Sequence, residues 1–406
     1  MGQFDGVTVN QLNGGLGRRN PSSDGVMLLV VHAAVAATGL AVNTATKLLS
    51  LQNAVDKGID ASYDDTNNIL AHYHIDEFFR LNPDGTLHVV LADVSFTDVM
   101  LKTIIRENSD IRGIGVARNS IVAVIDFSAY IGGYQNLVDE LKLEHVFVDA
   151  VLVEGNEFSA LTAVGDYDDL RLEDARNVSV IGVQDPAIRA IKAAYAGHAA
   201  IGSALGMLSV RSVNEQLGSI NINNKPNYAK GDSTYPLTNN GRGRWLSAVL
   251  QNGVAVSGLS GTEKTSLTAK GYVFAGSYAG LAGVYFSSSP TATLLSDDFA
   301  YIENNRVWNK AARALRLALL PRVKGNILKD ATTGFLRNTE VKDLEQLGKD
   351  ALTAMEASGE ISGSAVYVDP EQNPAEDTPL IVKAQVVANG IIYDIVVDLG
   401  LTNSIV

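Results

Sequence analysis

The sequence predicts a mixed α/β (α+β) protein with more than one domain. Apolar runs of strand length alternate with segments of helical periodicity, which is typical of layered folds with a mainly parallel sheet. The 37 glycines and the aromatic content of 7% suit a strand-and-loop-rich protein better than a helical bundle. At 406 residues, of which 46% are hydrophobic, the chain is long enough for two cores.

Residues 1–24 predict an extended N-terminal arm. The segment is rich in glycine and contains a single alternating stretch, Phe4–Leu12, which has the pattern of a strand but no local partner. A segment of this kind cannot build a core of its own. We therefore expect its apolar side chains to pair with another part of the assembled protein.

The middle region, residues 25–295, predicts alternating strands and helices. We expect strands at Gly25–Ala34, Leu87–Ala92, Ile111–Ala117, Ile121–Asp126, Val146–Val153, Val178–Val183, Gly253–Gly258, Gly271–Ala275 and Gly283–Ser287. We expect helices at Leu48–Val55, Thr97–Asn108, Tyr134–Leu141 and His198–Leu217. The polar, turn-rich stretch Asn221–Gly243 predicts a loop. Crossovers of this length favour parallel strands with helices on both faces of the sheet.

Residues 296–399 predict a compact module of two helices, a strand and a hairpin, followed by a tail over residues 400–406. The expected elements are helices Tyr301–Leu320 and Thr339–Ala357, the second with Thr339 as N-cap, and strands Ser364–Val368, Ile381–Val387 and Ile391–Leu399. The dipeptide Asn389-Gly390 between the last two strands is a strong hairpin signal.

Charge and cysteine content exclude several classes of function. The net charge of −13 disfavours nucleic acid as a partner, since the phosphate backbone is itself anionic. With no cysteine, the chain has no disulfide, no thiolate metal site and no cysteine nucleophile. The longest apolar run, Gly25–Leu40, is too short to span a membrane. We expect a soluble protein without a leader segment.

The glycine-rich motifs do not match nucleotide-binding sites. The stretch Gly258–Thr265 resembles a phosphate-binding loop, but Glu263 stands where that loop requires a glycine, and its carboxylate would repel phosphate. The run Gly14–Gly17 lacks a preceding strand and a following helix, so it does not match a dinucleotide fingerprint. We predict no cofactor.

The candidate metal and catalytic residues also have simpler interpretations. His72 and His74, with Asp76 and Glu77 nearby, can ligate a metal in principle, but residues two apart on a helix point in different directions, and His88 is the only nearby third histidine. Two carboxylates, Asp93 and Asp126, follow apolar strands, where enzymes of this fold class place catalytic acids; both are equally suited to capping a turn or a helix. No catalytic triad or zinc motif is present, and we predict neither an enzyme nor a metal site.

The C-terminal module resembles that of contractile-tail sheath proteins. The resemblance is carried by the helix-entry pattern Arg306–Arg313, by Asp330–Gly334, by Gly359–Gly363 and by Val366–Asn373 with the closing hairpin. The N-terminal stretch Asn13–Arg19, leading through Ser23–Val26 into a buried strand, also fits. The match is most specific over residues 296–406, and the middle of the chain is similar only in outline.

This resemblance implies an inner domain built from both chain ends, with an inserted layered α/β outer domain. Most of residues 25–295 would belong to the outer domain, and it stays open whether the first part of this region joins the inner one. It also implies terminal arms that add strands to neighbouring subunits. The implied strand-exchange residues are Phe4, Val7, Val9, Leu12, Ile392, Ile395, Val397, Leu399 and Leu401. The implied partners are other copies of the chain in a helical stack of rings, a tail tube protein, and baseplate and terminator proteins at the ends. The implied location is the tail of a virion or of a phage-tail-like particle.

A basic stretch within the module offers a contact to the tube. Its cations are Arg306, Lys310, Arg313, Arg316, Arg322 and Lys324, with Lys329 after them and no acid within the span. Two interpretations stay open here: a releasable contact with an acidic tube, or a solvated helix face whose arginines pair with acids of the same domain. At the level of function, the alternatives to a sheath are a non-contractile assembly protein of the capsid or surface-layer kind and, after that, an α/β enzyme.

Overall fold

The chain folds into two compact units. The computed structural model describes residues 23–32, 35–118, 126–154, 161–220, 234–375, 377–397 and 399–401. Unit 1 comprises Met1–Arg211 and Leu217–Ala300, and unit 2 comprises Ser212–Gln216 and Tyr301–Val406. The predicted strand Phe4–Leu12 and most of the predicted strand Ile121–Asp126 lie outside the described residues.

Unit 1 is built on a seven-stranded mixed sheet. The strands of unit 1, including those outside this sheet, are β1 (Val26–His32), β2 (Thr46–Leu48), β3 (Thr86–Ala92), β4 (Gly113–Ala117), β5 (Ala150–Val153), β6 (Val178–Ile181), β7 (Val183–Gln184), β8 (Val249–Leu250), β9 (Tyr272–Val273), β10 (Ala275–Gly276) and β11 (Tyr285–Phe286). The sheet order is β2-β3-β1-β4-β5-β6-β9, with all neighbours parallel except β2 and β3. Strands β7 and β8, and strands β10 and β11, form separate antiparallel pairs.

The helices of unit 1 provide the crossovers that the parallel strands require. They are α1 (Leu51–Asp56), α2 (Ala61–Asn67), α3 (Ala71–Leu81), α4 (Asp98–Glu107), α5 (Phe127–Leu143), α6 (Pro186–Arg189), α7 (Ile201–Val210) and α8 (Gly261–Ala269). Several begin at side-chain caps: Thr97 accepts from Met100 N–H and Asp126 from Ala129 N–H. The expected parallel sheet with helical crossovers is therefore confirmed.

Strand β1 lies in the interior of this sheet, between β3 and β4. Its residues Val26–Val31 are all buried, because both faces of a central parallel strand are covered. The alternation of apolar runs and helices thus led to the correct sheet type. The sequence left open whether the segment after residue 24 joins the C-terminal module; the structure places β1 in the interior of the sheet of unit 1.

Helix α7 packs very closely on the sheet and on α3, and glycines make this possible. A Cβ at Gly115 of β4 would lie 2.4 Å from Leu205 Cδ1, and a Cβ at Gly202 of α7 would lie 2.2 Å from His74 O. Such distances are shorter than any real Cβ contact, so only glycine fits at both positions.

A buried carboxylate joins the carboxyl ends of two strands to the start of α7. Glu154 directly follows β5 and is fully buried; it accepts hydrogen bonds from Arg118 N–H (2.5 Å) and from Ala199 N–H. Its Oε1 also lies 3.2 Å from His198 Nδ1, and this contact raises the pKa of His198 even though burial acts in the opposite direction. Removal of either partner would leave the other group buried without its contact.

Unit 2 is a helical hairpin that packs on a two-stranded sheet. Its elements are α9 (Ile302–Leu319), α10 (Asn338–Ala357), β12 (Ile361–Val368) and β13 (Val382–Ala388). One core cluster comprises Val213, Val307, Ala311, Leu352, Met355 and Ile361, and a second comprises Leu336, Val341, Leu344 and Val368. Gly348 lets α10 approach the sheet, because a Cβ there would lie 2.9 Å from Val366 Cγ1.

Several predicted elements differ from the structure. The stretch Gly253–Gly258 is not a strand but ends in a 3₁₀ turn, since Gly258 N–H bonds back to Ala255 O. The helix predicted over His198–Leu217 is only α7, because the backbone becomes extended at Arg211. Thr339 is not an N-cap: Arg337 O accepts the first helical hydrogen bonds, which puts Thr339 inside the first turn of α10.

We expect Gly202→Ala to destabilise unit 1 by about 1–3 kcal/mol, because the new methyl group overlaps the α3 backbone. Urea unfolding checks this. The matched control is Gly132→Ala on α5, where nothing lies within 4 Å of the new Cβ and where the higher helix propensity of alanine should add about 0.5–1 kcal/mol. Equal effects of the two substitutions would contradict the packing argument.

We also expect the stability of unit 1 to depend on the titration of His74. Burial lowers the pKa of His74 from 6.5 to about 4, and its Nδ1 accepts Gly202 N–H at 3.1 Å. Because the folded pKa lies below the unfolded value, this stabilisation is complete above about pH 6.5 and is lost as the pH falls towards 4.

The test is to measure the free energy of unfolding at pH 7 and pH 4.5 in wild type and in His74→Asn. Asparagine keeps an acceptor near the Nδ1 position but does not titrate, so the loss between the two pH values should shrink by about 2 kcal/mol. His145→Asn, at an exposed position with a positive φ that asparagine also adopts, is the matched control for the substitution itself. An unchanged dependence in His74→Asn would refute the assignment.

Candidate functional site

The C-terminal sheet of unit 2 has an open outer edge. In β12, Val368 N–H donates to Glu345 Oε1 (3.1 Å) and Ser364 O accepts from Lys349 Nζ (2.8 Å). These groups therefore point away from β13. Since Val368 pairs with Val382 and Ser364 with Val386, the alternation of an antiparallel ladder makes these β13 residues point outward as well.

The outward groups of β13 are those of Val382, Ala384, Val386 and, at the strand end, Ala388. None of them forms a backbone hydrogen bond with another described residue outside the β12 ladder. The outer edge of β12, by contrast, is partly occupied by side chains of α10. The β13 edge is thus the more open of the two, and it has the geometry required to receive a further strand.

The segment after β13 consists of exposed apolar side chains. Ile392, Ile395, Val396, Val397, Leu399 and Leu401 are all exposed; the exposed fraction of Val397 is 76% and that of Leu399 is 91%. Most of these side chains are β-branched, which favours strands. Their exposure shows that the fold of a single copy leaves this segment without a core to join.

The predicted strand Ile391–Leu399 and its Asn389-Gly390 hairpin are wrong for the isolated chain. The described residues of this segment belong to no sheet. Tyr393 instead packs on Tyr301, with ring centroids 5.5 Å apart, and hydrogen bonds to Tyr301 and Gln216. The side chain of Asn389 binds to the start of β12: it accepts a hydrogen bond from Ser362 Oγ and donates one to Gly359 O. The contacts of Tyr393 and of Asn389 hold the chain in a conformation that differs from the hairpin favoured by Asn389-Gly390.

The strand-exchange residues expected from the sequence therefore fall into two groups. Ile392, Ile395, Val397, Leu399 and Leu401 share the exposed segment, next in sequence to the open edge. Phe4, Val7, Val9 and Leu12 lie outside the described residues. The sequence did not indicate the anchoring role of Tyr301 and Gln216, because aromatic and amide side chains on separate segments carry no periodic signal.

The basic stretch does not form one charged face. Arg306 is only 1% exposed and donates to Ser212 O (3.1 Å), so it belongs to the interior of unit 2. A buried side chain cannot contact a tube, and we no longer propose Arg306 for that role. Lys310 pairs with Glu360 at 2.7 Å, and Arg322 pairs with Asp343. Lys310 and Arg322 thus have acid partners within the same domain, and the contact of the basic stretch with a tube stays a prediction.

The remaining cations of the stretch differ in exposure. Arg316 and Lys324 are exposed, and Arg313 is half-buried. The spacing of 306, 310 and 313 does place these residues on one side of α9, but that side turns towards the domain core at its N-terminal end, where Val307 and Ala311 are buried. Sequence spacing defined the helical face, and only packing showed which part of it is buried.

The other motifs have structural roles. Glu263 forms a capping box with Ser260 at the start of α8, which occupies the helix N-terminus that a phosphate would need. Asp126 caps α5, and Asp93 forms a turn with Ser95 N–H (2.8 Å). Asp76 pairs with Arg242, and Glu77 with Arg80.

The residues that the structure describes contain no group of three or more His, Asp or Glu side chains arranged to hold a metal ion. They also contain no helix with the length and apolar character needed to cross a membrane.

Comparisons with known proteins extend over the whole chain. A family model described as the DUF2586 N-terminal domain matches residues 4–290, and the model of the DUF2586 C-terminal domain matches residues 298–406. A comparison with curated proteins gave no match.

Two chains of the anti-feeding prophage share the fold of this chain. A chain of the anti-feeding prophage baseplate has a TM-score of 0.60 and 14% identity, covering 99% of this chain and 100% of that one. A chain of the anti-feeding prophage helical sheath in the contracted state has a TM-score of 0.59 and 14% identity, covering 100% of both. A sheath tail protein of Listeria innocua gives a TM-score of 0.47 and 11% identity, over 89% of this chain and 95% of that one.

The burial of Arg306 generates a test that separates folding from surface binding. We expect Arg306→Ala to destabilise unit 2 by about 2–4 kcal/mol, because it removes buried hydrogen bonds and leaves their acceptors unpaired. Arg316→Ala, on the exposed part of the same helix, should change the free energy of unfolding by less than about 0.5 kcal/mol. Urea unfolding of both variants checks this. Similar changes in the free energy of unfolding for the two would contradict the burial of Arg306 and make it a candidate for a surface contact again.

Proposed function

The chain belongs to the DUF2586 family, and we propose that it is a structural subunit of a contractile tail sheath. One observation carries the proposal: unit 2 has an open strand edge on β13, and an exposed apolar segment follows this strand directly. The shared fold supports it, since the anti-feeding prophage chains are those of a baseplate and of a contracted helical sheath.

The exposed segment requires a partner for physical reasons. A run of apolar, β-branched side chains in water would aggregate unless another surface covers it. Among the described residues of the segment, no backbone group takes part in a sheet. Pairing with the β13 edge of a second copy solves both problems at once, because the segment gains hydrogen bonds and the edge is covered.

The geometry of this exchange favours an open assembly. Each copy donates a segment at one place and accepts a strand at another, so the contact joins unlike surfaces. Such heterologous contacts generate rings or helices rather than closed dimers.

In the proposed sheath, copies of the chain surround a tail tube protein, with baseplate and terminator proteins at the two ends. The arm residues Phe4, Val7, Val9 and Leu12 would add a second strand exchange.

The driving force for contraction would come from packing. In this proposal the extended sheath is metastable and the contracted state buries more surface, so a small gain per subunit is multiplied along the tail. Strand exchange keeps neighbours joined while their rigid units rotate. The stroke needs no nucleotide, and the chain acts as a structural protein rather than as an enzyme.

The contact to the tube would use the cations that remain exposed. Arg316 and Lys324 are exposed, and Arg313 is half-buried; Arg322 and Lys329 are exposed too, but Arg322 pairs with Asp343 and Lys329 bonds to Asn373. Exposed ion pairs are individually weak and screened by salt, so a contact of this kind can be released during contraction.

A non-contractile assembly protein of the capsid or surface-layer kind is the second candidate. It would use the same strand exchange, and the exposed segment favours both candidates equally. The two differ in that only a sheath forms hollow tubes in two states of different length and diameter.

We expect Val397→Asp to abolish assembly without unfolding the chain. The side chain is 76% exposed in the single copy, so the free energy of unfolding should change by less than about 0.5 kcal/mol. In a strand-exchanged assembly the same carboxylate would be buried, which should raise the critical concentration at least about tenfold. The matched control is Val94→Asp, at a valine that is 80% exposed in unit 1.

The measurement is negative-stain electron microscopy with sedimentation, first on each chain alone and then on chains co-expressed with a tube protein. Hollow tubes or stacked rings from wild type and Val94→Asp, and dispersed subunits from Val397→Asp, are the expected result. A wild-type chain that stays monomeric in both settings would contradict the sheath. If Val397→Asp also forms tubes, the sheath proposal stands but the proposed strand exchange through this segment is wrong.

A further inference from the structure

Unit 1 contains a cavity of about 600 Å³ within residues 238–287. Its walls come from the β10–β11 pair and the loop between these strands, the 3₁₀ turn near Val256, helix α8 and the segment after Trp245. This volume can hold several side chains of a docked peptide. The strand-exchange elements of unit 2 take no part in it.

The charge of this cavity is opposite to that of the chain. The sequence has 45 acidic residues against 32 lysines and arginines, yet no carboxylate lines the cavity and Lys264 is the single charged residue that does. Lys264 is half-buried and forms no ion pair with any other residue that the structure describes. A partly desolvated ammonium group of this kind attracts an anion.

Three hydroxyl groups extend this donor set. Ser247, Ser257 and Ser277 line the same cavity, and within the described part of the chain their side chains form no hydrogen bonds. Hydroxyl and ammonium donors together fit a carboxylate, which accepts several hydrogen bonds at once. The set does not fit a metal ion, which would need carboxylate or imidazole ligands.

The cavity is bordered by exposed apolar side chains. Of the lining residues, Leu246 is 63% exposed and Tyr278 is 46% exposed. Exposed aromatic and aliphatic groups beside a pocket are typical of protein contact sites, where they anchor a partner while a polar group fixes its orientation. This favours a protein segment over a small free acid.

We infer that the cavity receives an acidic side chain, flanked by apolar residues, from a second copy of this chain. The inference rests on the proposed self-assembly, which brings copies together at high local concentration. With a net charge of −13, every copy offers many surface carboxylates. The contact joins a cavity on one copy to an acidic segment on another, so it is heterologous and compatible with a helical stack.

Substitutions of Lys264 test the charge. In assembly followed by sedimentation, Lys264→Glu should raise the critical concentration at least about tenfold, Lys264→Met should raise it several-fold, and Lys264→Arg should stay within about twofold of wild type. The matched control is Lys47→Glu, an exposed lysine on β2 outside the cavity. Unfolding curves of all variants establish that the fold is unchanged.

A second measurement identifies the partner independently of tube formation. A photo-crosslinking benzophenone amino acid at Tyr278, in the full chain at high concentration, should give an intermolecular product that joins the cavity to a peptide containing Asp or Glu of a second copy. Isotope labelling of half of the copies distinguishes crosslinks between chains from those within one chain.

The outcomes separate this inference from the sheath proposal. If wild type forms tubes and Lys264→Glu assembles as well as Lys47→Glu, the cavity is not an interface while the sheath stands. If no tubes form but Tyr278 crosslinks to an acidic peptide of a second copy, the cavity contact stands while the sheath fails. Crosslinks confined to one chain overturn the inference in either case.

Discussion

The pairing of backbone hydrogen-bonding groups constrains this molecule more than any single side chain. In unit 1 the strands of the large sheet find partners on both sides in its interior, and helices cover the faces; the central strand β1 is buried from Val26 to Val31. In unit 2 the sheet has only two strands, so each has an outer edge. The groups on a solvent-exposed edge can bond to water, but such an edge is also a template for a further strand.

The two units therefore stabilise themselves in different ways. Unit 1 uses close packing and internal charge compensation. Glycines at 115 and 202 let α7 approach its neighbours, and Glu154 binds backbone groups from two segments in the core. Unit 2 packs two helices on one face of a small hairpin and leaves apolar side chains after β13 in solvent. This difference is the physical basis for assigning assembly to the C-terminal unit.

The charge distribution follows the same division. Two buried ionisable groups illustrate this, since Glu77 pairs with Arg80 and Arg306 bonds to the carbonyl of Ser212, in each case inside the same unit. The features directed outward are instead an apolar segment, an open edge and a cavity with one lysine. An acidic chain can approach other copies of itself only where such surfaces outweigh like-charge repulsion.

The sequence by itself determined the fold class and most elements, and it offered one helix cap that the structure shows, because apolar periodicity and capping residues act over a few neighbouring positions. Runs such as Leu87–Ala92 and the cap at Asp126 belong to this group. The tertiary structure alone decided where β1 lies in the sheet, that Arg306 is buried, and that Tyr393 packs on Tyr301 so that the hairpin predicted at Asn389-Gly390 does not form. These outcomes depend on residues far apart in the chain. A local dipeptide preference of about 1 kcal/mol or less is overridden by such packing, and no periodic pattern records it.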